Sequence, residues 1–322
     1  MDSINFAYRR KDDPVDGLAL VKSASLRVSA NSSKYLDMTL MDASGEINAK
    51  AWNWENGIVP ENGSVIRLRG VVGEFAGKLQ LRVDRLRLAQ PEEIDYSQLV
   101  PCAPEDPEEM YLELYEAAEG LKNPDLRILS LRLLEDNREK LLIWPAAVSY
   151  HHAHRAGLLQ HTVTMLRAAK AILPVYPALN ADLVLCGVIA HDLCKIREIN
   201  AGEIGIATEY TPEGMLLGHL VLGVSNIARL ARELSIDEET SLLVQHMVLS
   251  HHDTPEYGSP RPPMFPEAEL LHQLDVLDAR LMEMGTALGM TPEGQFSERV
   301  RSLENRRLYK AKASGFESAE QE

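Results

Sequence analysis

The chain has 322 residues, 45% of them hydrophobic, with 33 Lys/Arg against 48 Asp/Glu and a formal net charge of −15. That length exceeds one hydrophobic core and predicts two domains, while the acidity excludes a simple polyanion binder, because neutralising phosphates takes clustered Lys and Arg. The three cysteines, Cys102, Cys186 and Cys194, form no CxxC pair and no even set, which excludes a zinc ribbon and a disulfide scaffold and fits a reducing compartment.

The start MDSINFAYRRKDD lacks the apolar centre of a signal peptide, and no uninterrupted apolar run reaches the roughly 18 residues of a membrane span. The expectation is a cytoplasmic protein without a membrane partner. Residues 1–90 hold 13 Lys/Arg against 11 Asp/Glu, and the remainder 20 against 37. A polyanion-binding face is therefore expected in the N-terminal part, or on metal ions that invert the local sign.

From about residue 18 to 90 the pattern is of short strands. LRVSA, YLDMTLMD, EINAKAW, SVIRLRGVV and KLQLRVDRLRL alternate, most clearly where Leu79, Leu81 and Val83 interleave with Gln80, Arg82 and Asp84. The alternation changes phase between Val83 and Leu86, which predicts a bulge, and DASG at 42–45 and EFAG at 74–77 supply hairpin turns. Five such strands predict an all-β barrel of OB type over 1–90.

Pro91, Pro101, Pro104 and Pro107 among acidic residues mark a linker, and with a connecting helix this segment spans 91–122. Everything from 123 to 311 is helical in pattern, and 312–322 reads as a disordered tail. Asp106-Pro107 and Asn123-Pro124 start helices, Thr211-Pro212 opens EGMLLGHLVLGVSNIARLAREL, and Ser235 with Glu238 forms a capping box ahead of LLVQHMVLSHH.

The chemistry lies in this half. His161 sits in GLLQHT, His191-Asp192 in IAHDLCK, His251-His252 in VLSHHD and Asp275 in LLHQLDVLDAR, each on an apolar segment. Burying His191 and Asp192 in DLVLCGVIAHDLCKI costs several kcal/mol, of the order of 2–7, unless something satisfies them. Metal coordination is the strongest compensation, and a buried hydrogen-bonded pair or a helix cap is the alternative. Lys195, one helical turn after His191, points near the same site and could bind a phosphoryl oxygen, or could be a solvated helix-end lysine.

With these residues in this order the chain resembles the HD-domain superfamily of metal-dependent phosphohydrolases, whose signature runs His, His-Asp, then a distant Asp. The resemblance implies His161, His191, Asp192 and Asp275 as ligands, with Asp278, second in the D-x-x-D segment, as a supporting acid. His219 in LLGHLVLG and His251 match the further histidines of the two-metal branch, in which the HD aspartate bridges. His252 is implied as a third ligand or a proton donor. Imidazole plus carboxylate without thiolate suits Mn, Fe, Co, Ni or Zn.

The whole chain from about 18 to 311 resembles the YhaM-type 3′→5′ exoribonucleases, an N-terminal OB-fold followed by an all-α HD domain. The stretches that carry it are YLDMTLMDASGEINAKAW, GKLQLRVDRLRL, PAAVSYHHAHRAGLLQHT, HDLCKIREI, ATEYTPEGMLLGHL, LSHHDTPEYGSPRPPMFPEAELLHQLDVLDARL and SLENRRLYK. Cys194 and Ala156 stand where the family commonly has glycine, which bears on pocket shape and not on any ligand.

The resemblance implies hydrolysis of single-stranded RNA, with single-stranded DNA a further candidate, to 5′-mononucleotides with two divalent ions, manganese the favoured one. Asp192, Lys195 and His252 would carry the chemistry. His151, His152 and His154 are candidate phosphate contacts, against a solvent-exposed loop.

On the barrel Tyr35, Trp52, Trp54, Phe75, Lys50, Lys78 and Arg82 are candidate strand contacts, each aromatic competing with a place in the core. A homo-oligomer sharing a channel between protomers would keep the acidic half from repelling the strand. The rival readings are hydrolysis of a small nucleotide by the same metals, a diiron oxygenase on the same scaffold, and a non-catalytic nucleic-acid-binding adaptor.

Overall fold

The computed structural model describes residues 4–29, 31–55, 57–148, 153–207, 209–313 and 315. The chain divides into two compact units, Met1–Cys102 and Ala103–Glu322. The division falls inside the proline-rich stretch. Leu99 and Val100 are buried on the barrel side of it, while Met110 and Leu114 of the helix that follows pack into the helical core.

The first unit is a closed barrel of β1 (Pro14–Val28), β2 (Lys34–Asp42), β3 (Gly45–Trp52), β4 (Val65–Phe75) and β5 (Lys78–Leu88), in the order β1-β2-β3-β5-β4. Every neighbouring pair is antiparallel except β3 and β5, which run parallel. Inward alternation builds the core: Leu36, Met38 and Leu40 from β2 meet Ala49 and Ala51 from β3 and Leu81 and Val83 from β5.

Between Val83↔Gly70 and Arg85↔Arg69 the register slips by one residue, leaving Asp84 as the bulge that the phase change predicts. Gly70 is required there, because a Cβ would come within 2.2 Å of the Arg82 carbonyl oxygen. The 42–45 turn is fixed by Asp42, whose Oδ1 accepts from the Ser44 and Gly45 amides. In the 74–77 turn Ala76 and Gly77 both take positive φ, the hairpin-compatible hand.

The second unit holds α1 (Pro107–Glu119), α2 (Pro124–Leu141), α3 (Gly157–Ile172), α4 (Ala181–Ala190), α5 (Lys195–Glu198), α6 (Pro212–Leu234), α7 (Glu238–Ser250) and α8 (Pro266–Gly289). A two-stranded ribbon, β6 (Ile199–Asn200) with β7 (Glu209–Tyr210), lies between α5 and α6. Asp106, Asn123 and Thr211 cap α1, α2 and α6 through their side chains, as their positions before proline predict.

Two expectations are corrected. Asp237, not Ser235, caps α7 by accepting from Thr240 N, because Ser235 is already spent as the left-handed residue that ends α6. The apolar helix through His191 does not continue to Ile196: α4 stops at Ala190, a tight turn carries His191 and Asp192, and α5 starts at Lys195. By length and mean hydropathy, 1.3 over its best window, α6 could cross a membrane, a feature that counting uninterrupted apolar residues misses. Its backbone breaks at Gly218, its Leu222, Ile227 and Leu230 are buried in the protein, and its Met215 and Leu216 are exposed.

Candidate metal centre

Four helices and one turn bring the histidines and aspartates together. His161 comes from α3, His191 and Asp192 from the turn after α4, His219 from α6, His251 and His252 from the end of α7, and Asp275 and Asp278 from α8. Ligand atoms of His161, His191 and Asp192 lie within 4.8 Å of one another, and so do those of Asp192, His219, His251 and His252. Asp192 belongs to both groups.

Its two oxygens are divided between them. Asp192 Oδ2 is 3.5 Å from His191 Nε2 and 3.7 Å from His161 Nε2, while Oδ1 is 3.3 Å from His219 Nε2 and 3.6 Å from His251 Nε2. Asp275 Oδ1 lies 3.3 Å from His161 Nε2 on the first side.

The outer ring nitrogens decide what faces inward. His191 Nδ1 is 2.8 Å from the Val188 carbonyl and His251 Nδ1 is 2.8 Å from the Val248 carbonyl. A carbonyl only accepts, so both Nδ1 atoms carry the proton and both Nε2 atoms present lone pairs. Glu198 Oε2 accepts from His219 Nδ1 at 2.8 Å, and Asp278 Oδ2 from His161 Nδ1 at 2.6 Å, the carboxylate support that orients ligating imidazoles.

Asp192 Oδ1, His219 Nε2 and His251 Nε2 are consequently buried, electron-rich and without a hydrogen-bond partner. Three buried acceptors facing one another repel unless a cation lies between them. The donor set fits a divalent metal on this test.

The electrostatics agree. Burial drives the His251 pKa down to about 3 and lowers that of His191, keeping both rings neutral. Burial opposes charge on Asp192, yet the Lys195 ammonium beside its Oδ2 holds the carboxyl well below the usual carboxylate range. His161 is the exception: burial lowers its pKa, but hydrogen bonds to Asp275 and Asp278 outweigh this and raise it to about 10, so without metal the ring is an imidazolium that donates to both carboxylates. Lys195 Nζ lies 2.6 Å from Asp192 Oδ2, and the Asp192 charge outweighs burial to keep it an ammonium.

Local backbone bears on the aim of two of these histidines. Gly218, φ 69° and ψ 161°, breaks α6 one residue before His219, and that conformation is essentially glycine-only. Gly218→Ala is expected to cost about 1–3 kcal/mol and to weaken metal binding on the His219 side, read by urea unfolding and metal titration. Ala156, the N-cap of α3, is left-handed at φ 60°, a conformation that favours glycine; its buried methyl offsets part of the strain here.

Of the other sequence candidates, His252 packs its ring 4.2 Å from that of His251 and 5.1 Å from that of His219, centroid to centroid. His154 bonds Gln160 at 2.7 Å and joins neither group of ligands. His151 and His152 lie outside the described residues. Sequence reasoning missed Glu198, whose seven-residue offset from His191 matches no ligand spacing, and His272, whose Nδ1 donates to the His251 carbonyl at 2.7 Å.

On the barrel, Tyr35 and Trp52 pair across β2 and β3 with ring centroids 4.7 Å apart. Lys50 Nζ lies 5.2 Å from the Tyr35 ring, 5.6 Å from Trp52 and 5.7 Å from Phe75. Trp52 and Phe75 are exposed, so neither fills the core; Trp54, by contrast, packs against it. Arg82 stands beside Lys50 across the β3–β5 pairing and bridges to Asp84 at 3.4 Å, and Lys78 opens β5 opposite Phe75.

Residues 158–280 match the HD domain family, and residues 20–89 match a family described as an OB-fold nucleic acid binding domain. The chain therefore joins an OB-fold domain to an HD domain of the metal-dependent phosphohydrolase class.

Among solved structures it is similar to the second OB-fold domain of replication protein A from Methanococcus maripaludis, at 19% identity over 25% of this chain and 87% of that one, TM-score 0.22. It is also similar to the mitochondrial single-stranded DNA binding protein Rim1 of S. cerevisiae, at 12% identity over 25% of this chain and 98% of that one, TM-score 0.21.

Proposed function

We propose that the chain is a YhaM-type 3′→5′ exoribonuclease that releases 5′-mononucleotides from single-stranded RNA, using a pair of manganese ions. The observation that carries this reading is Asp192, a buried carboxylate whose two oxygens face separate histidine pairs. His161, His191, Asp192 and Asp275 would hold one ion and Asp192, His219 and His251 the other. Bound there, the ions supply Lewis-acid polarisation of the scissile phosphodiester and a water acidic enough to attack near neutral pH.

The chain's own groups do the rest. Glu198 and Asp278 hold the His219 and His161 rings in the tautomer that turns Nε2 inward. Lys195, an ammonium with three donors, keeps one on Asp192 and offers another to a phosphoryl oxygen. Burial lowers the His252 pKa, and an incoming phosphodiester anion offsets this, so that His252 can give its proton to the leaving 3′ oxygen.

A polymeric substrate is supported by the exposed Trp52 and Phe75 rings and the half-buried Tyr35 around Lys50, an arrangement suited to stacking bases beside a cation. Polarity and product rest on the family resemblance of the chain. In an assay with RNA labelled at either end, the 3′ label should appear at once as mononucleotide and the 5′ label as a shortening ladder, only with metal present. Trp52→Ala should raise KM about tenfold through lost stacking. Turnover of cyclic dinucleotides or guanosine polyphosphates with RNA left intact refutes the reading.

A further inference from the structure

The acidic half of the chain ends in a basic hairpin. After α8, bridges Phe296↔Tyr309 and Val300↔Arg306 pair two arms, closed by Ser297 N donating to Leu308 O at 2.8 Å and Lys310 N to Gln295 O at 2.9 Å. Residues 295–312 carry Arg299, Arg301, Arg306, Arg307, Lys310 and Lys312 against Glu298 and Glu304. A charge count over the whole half hides this reversal.

Elsewhere in the helical unit Arg132, Arg138, Arg167, Arg197, Arg229 and Arg280 each pair with a carboxylate, while Arg127, Arg232 and Arg261, with no such pair among the described residues, are dispersed along the chain. Among the described residues no carboxylate lies within ion-pair distance of Arg299, Arg301 or Arg307. These three line one cleft of about 640 Å³ together with Glu298 and Asn305. Arg299 donates to the Asn305 carbonyl at 3.3 Å, and Arg307 uses its Nε on the Ser297 carbonyl at 3.0 Å.

Beside the cleft stand two aromatic rings in water. Phe296 is 56% and Tyr309 52% exposed, with centroids 5.1 Å apart, and the Arg307 guanidinium lies 5.7 Å from the Phe296 ring. Uncompensated guanidinium groups match phosphodiester oxygens, and exposed rings match base faces. An acidic peptide would use the first and leave the second idle, and a duplex keeps its base faces stacked. Arg280 bonds Glu304 at 2.9 Å, tying the hairpin to α8, the helix that carries Asp275.

We propose that this hairpin is a second strand-binding surface, in which the arginine cleft holds backbone phosphates of single-stranded RNA and Phe296 with Tyr309 stacks a base. It rests on the reading of the chain as an enzyme of RNA, and it shares no residue with the metal centre or with the barrel contacts named above.

The test measures fluorescence anisotropy of a labelled oligouridylate with the full chain in EDTA, from about 50 to 200 mM salt. The triple variant R299A/R301A/R307A should bind at least about tenfold more weakly at low salt. Its log–log salt slope should fall by about 2, at roughly 0.7 per lost phosphate contact. The triple Lys variant, which keeps the charge, should retain the slope.

The double variant F296S/Y309S, altering rings more than half exposed, should lose about fivefold with the slope unchanged, and it reads the site even if the triple Ala variant fails to fold. Wild-type affinity and slope in both the triple Ala and the double variant overturn the hairpin proposal alone. A wild-type chain that binds no RNA overturns the exoribonuclease reading with it. Arginine-dependent binding of polyglutamate in place of RNA assigns the surface to an acidic protein and overturns it too.

Discussion

Asp192→Asn should abolish the paired metal centre, and with it at least about a thousandfold of RNA hydrolysis, because one substitution removes a ligand from both ions. Asparagine preserves the volume, but its amide nitrogen cannot ligate, so at most one of the two histidine sets keeps an oxygen. The substitution also strips Lys195 of the carboxylate 2.6 Å away. Breaking a buried pair costs about 3–5 kcal/mol, so the metal-free variant should melt earlier than the metal-free parent.

Two measurements separate the effects. Metal content per folded chain should fall to one ion or none, and manganese should raise the melting temperature of the parent much more than that of the variant. A folded Asp192→Asn protein that retains both ions and degrades RNA would mean that the division of Asp192's oxygens has no bearing on function.

Much of this arrangement is legible in the sequence because ligands are expensive to bury. His191-Asp192 stands out in an apolar run, while the choice of Asp275 over Asp278 and the places of His161 and His219 rest on the family resemblance; the structure sets His161 and His191 on one side of Asp192 and His219 and His251 on the other, with Asp275 beside His161. The barrel is legible for a related reason: alternation survives wherever one face is buried, and even the bulge at Asp84 leaves a phase change.

What the sequence hides depends on direction. Whether Trp52 and Phe75 point into the barrel or out of it turns on pleat and register at strand ends, where burial is partial. Ser235 satisfies the capping pattern as well as Asp237 does, and only the left-handed end of α6 decides between them. Glu198 carries no signal because its work is done through space, across the turn from α5 to the break in α6.

Glu198 and Asp278 together give the sharpest test of two sites against one. Among the described residues the Glu198 carboxylate bonds only His219, whose Nε2 faces Asp192 Oδ1; Asp278 supports His161, whose Nε2 lies on the Oδ2 side beside Asp275. Supports of ligating imidazoles are worth about 10–100-fold in metal affinity. Glu198→Ala should therefore weaken one of two manganese-binding phases by that factor and spare the other, while Asp278→Asn should do the converse. Glu198→Gln, which still accepts from Nδ1 but lacks charge, should fall between parent and Ala variant. Free-manganese titrations read both phases directly. If each substitution weakened both phases alike, the histidines would form one cooperative site, and the hydrolytic pair drawn around Asp192 would have to be abandoned.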